Sequence, residues 1–221
     1  MEEKEIHDEL SAIRNLMERS SKFISLSGLS GILAGVYALI GAGFAYKIMN
    51  DDPTYATIKK FRGDMQPTRY GSLWINNEDY SSLAIKLFII AAIVFLASIA
   101  TAIVLSNRQA KRKGQSMWGK VSQSLLFSMA VPLVAGGLLI MIFLYHHHYG
   151  IASSSSLIFY GLALVSAGNF TFNMVKYLGL CEIALGLIAA CLPGYGLLFW
   201  ALGFGVLHII YGSMMYLKYD R

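Results

Sequence analysis

The chain alternates long apolar runs with short polar breaks, at a spacing that membrane helices require. A helix needs about 20 apolar residues to cross a hydrocarbon core about 30 Å thick. Runs of that length fall at 23–49, 83–106, 121–145 and 156–175. After Lys176 the sequence stays apolar to Leu217 except at Pro193-Gly194-Tyr195-Gly196. That stretch is too long for one helix, and Pro-Gly is a turn signal, so it divides into spans at 177–192 and 196–217. The fifth span is short, and its turn is expected to dip below the membrane surface. Segments of about ten residues with alternating polarity, the mark of a membrane β-barrel, do not occur. The pattern predicts an all-α, polytopic membrane protein with six transmembrane helices forming one bundle over 23–221.

Composition strengthens this reading. Hydrophobic residues make up 56 % of the chain and charged residues 14 %, against roughly 45–50 % and 25 % in ordinary globular proteins. Mean hydropathy is +0.54. A soluble domain of 221 residues could not bury that much apolar surface. Cys181 and Cys191 lie on one predicted helix, about 15 Å apart by the helical rise, too far to form a disulfide.

Charge sets the expected orientation. With the N-terminus inside, Lys4, Arg14, Arg19 and Lys22, the cluster Arg108–Lys113, Lys120, Lys176, Lys218 and Arg221 all fall on the cytoplasmic side. The outer side holds Lys47, Lys59, Lys60, Arg62, Arg69 and Lys86. This positive-inside bias places both termini in the cytoplasm of a bacterium whose inner membrane holds the protein. It also accounts for the net charge of +5, so no nucleic-acid partner is expected. The charged start has no cleavable signal pattern, and the first span is expected to serve as the signal anchor.

Three regions outside the spans carry patterns of their own. In 1–22, Ile6, Leu10, Ile13 and Met17 recur at intervals of four, three and four between charged residues, the seam of an amphipathic helix. It would lie on the membrane, or dock a cytoplasmic partner or a second copy in a homo-oligomer. The outer loop 50–82 contains Pro53, Gly63, Pro67 and Gly71 with Tyr55, Phe61, Tyr70, Trp74 and Tyr80. These aromatics suit an interfacial belt, or a lid over the bundle. His146-His147-His148 ends the third span. Consecutive histidines diverge on a helix, which leaves His146 and His148 as metal candidates only in an extended loop. With no acidic residue or cysteine beside them, no metal and no cofactor are expected.

The chemistry concentrates in the last two spans. Glu182 is the only acidic residue inside a span, and His208 is the only histidine well inside one. Ionisable groups at such depth are costly and mark functional sites, with a partner to be named. On an antiparallel hairpin, facing residues share a nearly constant sum of residue numbers. Gly179 with Gly212, Glu182 with His208 and Gly186 with Gly205 all obey that rule. Each helix would therefore show a glycine–polar–glycine face to the other, with glycines allowing close approach. Glu182 and His208 would meet about 17–18 Å below the turn. They would form either an ion pair or a neutral acid hydrogen-bonded to a neutral imidazole. Asn169 and Asn173, four apart on the fourth span, would extend the network.

Enzyme chemistry is disfavoured. A Glu–His pair is half of a general acid–base apparatus, but no nucleophile or second carboxylate has a matching spacing. Asn169-Phe170-Thr171 fits a glycosylation pattern, yet it lies within a predicted span.

Gly28-Leu29-x-x-Ile32-x-x-Gly35 in the first span repeats as Gly179-Leu180-x-x-Ile183-x-x-Gly186 in the fifth. This suits a hairpin used three times, with spans one and five as the first helices of their hairpins. The final hairpin, Gly179-x-x-x-Ile183-x-x-Gly186 through Pro193 to Gly203 and Gly212, resembles the repeated hairpin of HdeD-like acid-resistance membrane proteins, which also have six spans. Gly203–Gly212 is also similar to small membrane proteins of bacteria. The resemblance brings no defined chemistry, and the leading expectation is a non-enzymatic, stress-related or regulatory membrane component that works through the intramembrane polar site and has a cytoplasmic docking helix. The competing expectation is a small proton-linked transporter or channel using Glu182 and His208, followed by a membrane-embedded enzyme.

Overall fold

In the computed structural model the described residues are 27–53, 55, 77–112, 118–146, 148–192 and 194–220. The N-terminal segment 1–22, most of the loop expected at 50–82, His147 and Pro193 lie outside them. Among the described residues the regular structure is all helical, with no strand, and six helices are long and apolar enough to cross a membrane. They are α1 (Gly28–Asp51), α2 (Asn77–Arg112), α3 (Lys120–Tyr145), α4 (Ala152–Ala167), α5 (Asn173–Cys191) and α6 (Gly196–Lys218). A 3₁₀ turn, Tyr149–Ile151, leads into α4. α3 continues through Pro132.

Several boundaries differ from the hydropathy pattern: α2 runs from Asn77 to Arg112 rather than over 83–106, and α4 begins at Ala152 rather than at 156. The fourth helix stops at Ala167 rather than Val175, and the fifth begins at Asn173 rather than Tyr177. Backbone bonds from Asn169 N to Ser166 O (3.3 Å) and Phe170 N to Ala167 O (2.9 Å) close a turn here. The apolar residues Phe170 and Phe172 conceal this turn from any average over the chain, although Gly168-Asn169 is a helix stop. α5 consequently has 19 residues, about 28 Å at the helical rise. It is not short, and no sunken turn is needed to explain it.

Packing follows small residues. α1 lies between α2 and α6, and α4 lies between α3 and α5. α2 and α3 are the outer helices, with Ile85, Ile89, Ile93, Leu96, Phe127 and Val134 exposed. An aqueous surface would not tolerate such a face, whereas lipid tails cover it without cost. Gly41 of α1 meets Val94 and Ile90 of α2, and Tyr37 reaches Thr101 at 3.4 Å. Gly136 of α3 packs on the Phe159 ring of α4.

The α4–α5 and α6–α1 pairs are copies of one antiparallel seam. A methyl group on Gly161 would stand 2.6 Å from Gly179 O and 2.9 Å from Ile183 N. On Gly212 it would stand 2.8 Å from Gly28 O and 2.5 Å from Ile32 N. At the other end a methyl group on Gly186 would stand 3.0 Å from Ile158 N, and one on Gly35 would stand 3.0 Å from Ile209 N. Residues of α5 thus correspond to residues of α1, and residues of α4 to residues of α6. The sequence carries both halves of this repeat: Gly-Leu-x-x-Ile-x-x-Gly on α1 and α5, and Ile-x-Tyr-Gly at Ile158–Gly161 and Ile209–Gly212.

The seam corrects the expected glycine partners. Gly179 and Gly186 press α5 against α4, and Gly205 and Gly212 press α6 against α1. They do not face one another across the last hairpin. Glycine lines demand the closest backbone approach, and each helix has one such line. The α5–α6 contact is made by the neighbouring side chains instead.

Candidate functional site

Buried positions on α5 form one stripe, Val175, Leu178, Gly179, Glu182, Gly186 and Ala189, at the three- and four-residue spacing of a helical face. Glu182 stands at its centre and is 0 % exposed. On α6, Gly205, His208 and Gly212 are buried, and His208 is 6 % exposed. With both glycine lines drawn into their own seams, the space between the two helix pairs is left to larger side chains. There Oε1 of Glu182 lies 3.4 Å from Nδ1 of His208.

His208 is held at both ring nitrogens. Nδ1 is 3.0 Å from the carbonyl oxygen of Gly203, and Nε2 is 2.7 Å from the Tyr160 hydroxyl on α4. A carbonyl only accepts, so Nδ1 carries a hydrogen, and in the neutral ring Nε2 accepts from Tyr160. Glu182 is treated differently. Neither of its carboxyl oxygens has a hydrogen-bond partner. Oε2 instead lies against the Cα of Gly203, where a methyl group would strike it and would stand 2.6 Å from Leu157 Cδ2. Glycine at 203 therefore makes the room for the carboxyl group.

Aromatic rings line α6 from its N-terminal end to His208. Trp200, Phe204 and His208 form a row along α6, with ring centroids 5.2 and 6.1 Å apart. Tyr160 packs on Phe204 at 5.0 Å and on His208 at 5.4 Å. Just before His208, Ala201–Leu207 is π-helical. Such stretches are rare and frequently mark functional positions.

Other expected residues lie elsewhere. Asn169, in the α4–α5 connection, and Asn173, the first residue of α5, are exposed and take no part in the network, because α4 has already ended. Extending the helix through Val175 placed them on a face that does not exist. His146 closes α3 and stands edge-on to Tyr145 at 5.3 Å, while the backbone N–H of His148 donates to Phe143 O at 2.8 Å. Among the described residues no three His, Cys, Asp or Glu side chains gather to hold a metal ion. Cys181 and Cys191 are free and exposed. An open cleft lined by Gln123, Ser124, Phe127, Ser128 and Phe170 shares no residue with the Glu182 site.

Tyr160 is the residue that a search for charged groups overlooks, since tyrosine is common in membrane chains. The repeated Ile-x-Tyr-Gly sequence is the signal that singles it out.

Compared with known proteins, the chain matches no family model, no curated protein and no solved structure.

Proposed function

We propose that this chain is a non-enzymatic, stress-related or regulatory component of a bacterial inner membrane, with both termini in the cytoplasm. Its Glu182–His208–Tyr160 site works as a polar clamp between two glycine-packed helix pairs. The observation that supports the reading is the full burial of Glu182 between those pairs, beside His208. The charged segment 1–22 supplies the contact to a cytoplasmic partner or a second copy. The HdeD-like likeness of the last hairpin agrees with a stress-related role.

The clamp reading makes a direct demand on stability. In lipid nanodiscs, His208→Ala should lower the thermal unfolding midpoint, because it removes the partner of the Tyr160 hydroxyl and leaves a cavity beside the buried Glu182. An unchanged midpoint would remove the clamp. Proton flux in reconstituted vesicles that Glu182→Gln abolishes would replace this reading with transport.

A further inference from the structure

The hydrogen bonds around His208 and the backbone of α6 belong to one arrangement. The ring N–H at Nδ1 points to the Gly203 carbonyl, inside the π-helical stretch, and leaves Glu182 unpartnered although it is only 3.4 Å away. An ionised carboxylate attracts an N–H far more strongly than a neutral carbonyl does. The observed choice is that of a carboxyl group bearing a proton. The titratable groups facing Glu182 are His208 on α6 and Tyr160 on α4, and Tyr211 of α6 acts on Tyr160 in turn. α1 meets this part of α6 through Gly31, Ile32, Gly35 and Leu39, none of which titrates.

We propose that Glu182 is a proton-binding site whose occupancy sets the winding of α6. This rests on reading Glu182 and His208 as a polar site between the helix pairs. In the loaded state Glu182 is a neutral acid, His208 is neutral and donates from Nδ1 to Gly203, and Tyr160 donates to Nε2. Release sends one proton from the carboxyl group to solvent. The Nδ1–H of His208 then turns to the carboxylate, and the Tyr160 bond stays as it was. The Gly203 carbonyl is freed and takes the N–H of Leu207, its α-helical partner. Removing the extra residue of a π turn rotates the helix before it by about 100° and moves it about 1.5 Å. Gly196–Trp200 is that preceding segment. Trp200 therefore leaves the Phe204 ring, and the outer end of α6 reports the proton count at Glu182.

Trp200 makes the test optical. The full chain carrying Trp74→Phe and Trp118→Phe keeps it as the only tryptophan and is placed in lipid nanodiscs. Its emission should change in a single-proton transition between acidic and alkaline pH. Adding Glu182→Gln should abolish the transition and fix the emission at its acidic value. A pH-silent parent, or a transition that survives Glu182→Gln, overturns the proposal. Where the glutamine variant fails to fold, Glu182→Asp keeps an ionisable group in an altered position, and the midpoint should move. An unmoved midpoint likewise overturns it. A pH-silent Trp200 in a protein that His208→Ala still destabilises ends this inference alone and leaves the clamp standing.

Discussion

The seam between α4 and α5 and the seam between α6 and α1 use the same glycines at the same levels, yet they differ at their centres. Where α5 has Glu182, the corresponding residue of α1 is Gly31; where α6 has His208, the corresponding residue of α4 is Leu157. Each pair therefore contributes one polar group and one apolar position to the space between them. Tyr160 and Tyr211 also correspond, but they bond differently. Tyr160 reaches His208, whereas the Tyr211 hydroxyl donates to Met215 Sδ at 3.0 Å. The lesson is that the repeat supplies the architecture, and the departures from the repeat supply the site.

That comparison can be broken at several points, and thermal unfolding midpoints in nanodiscs measure each. The largest effect is expected at the departures. His208→Ala removes the partner of the Tyr160 hydroxyl and leaves a cavity beside Glu182, and should cost about 2–5 kcal/mol, while replacing Glu182 and His208 together with leucine should cost less. A double variant as unstable as the single one would contradict that order.

Next come the shared glycines. Gly161→Ala and Gly212→Ala each force a methyl group against backbone atoms of the partner helix. Each should cost about 1–3 kcal/mol, the range for overpacking. Equal losses would sharpen the equivalence of the seams, and a loss confined to one would break it. Tyr160→Phe should cost about 1 kcal/mol, the net worth of one hydrogen bond. Tyr211→Phe, with only a sulfur acceptor to lose, should cost less. Smallest of all, Gly43→Ala and Gly137→Ala point into open space and should stay within about 0.5 kcal/mol.

Much of this was legible in the residues, for identifiable reasons. Six apolar helices follow from run length, because the cost of unpaired backbone in lipid leaves few alternatives. Glu182 and His208 stand out because ionisable side chains at such depth are rare. The glycine partners were not legible from the hairpin rule. Numbering says which residues share a level, but not which of several neighbouring helices a face will choose. α6 has α1, α4 and α5 within reach, and its glycines take α1. The end of α4 was hidden by Phe170 and Phe172, which keep the connection apolar. Tyr160 was hidden by the opposite problem, a residue type too common to attract notice until its repeat partner was seen.

Pairing α6 with α1 has a consequence for how the protein is made. A ribosome delivers α1 first and α6 last, while α4 and α5 emerge one after the other. The middle pair can zip together as soon as it is inserted, but the glycine groove on α1 must wait until nearly the whole chain has been synthesised. A chain interrupted before residue 196 would leave that groove bare in the membrane, open to other helices with small-residue faces. Completion of the last helix is thus the step that closes the bundle.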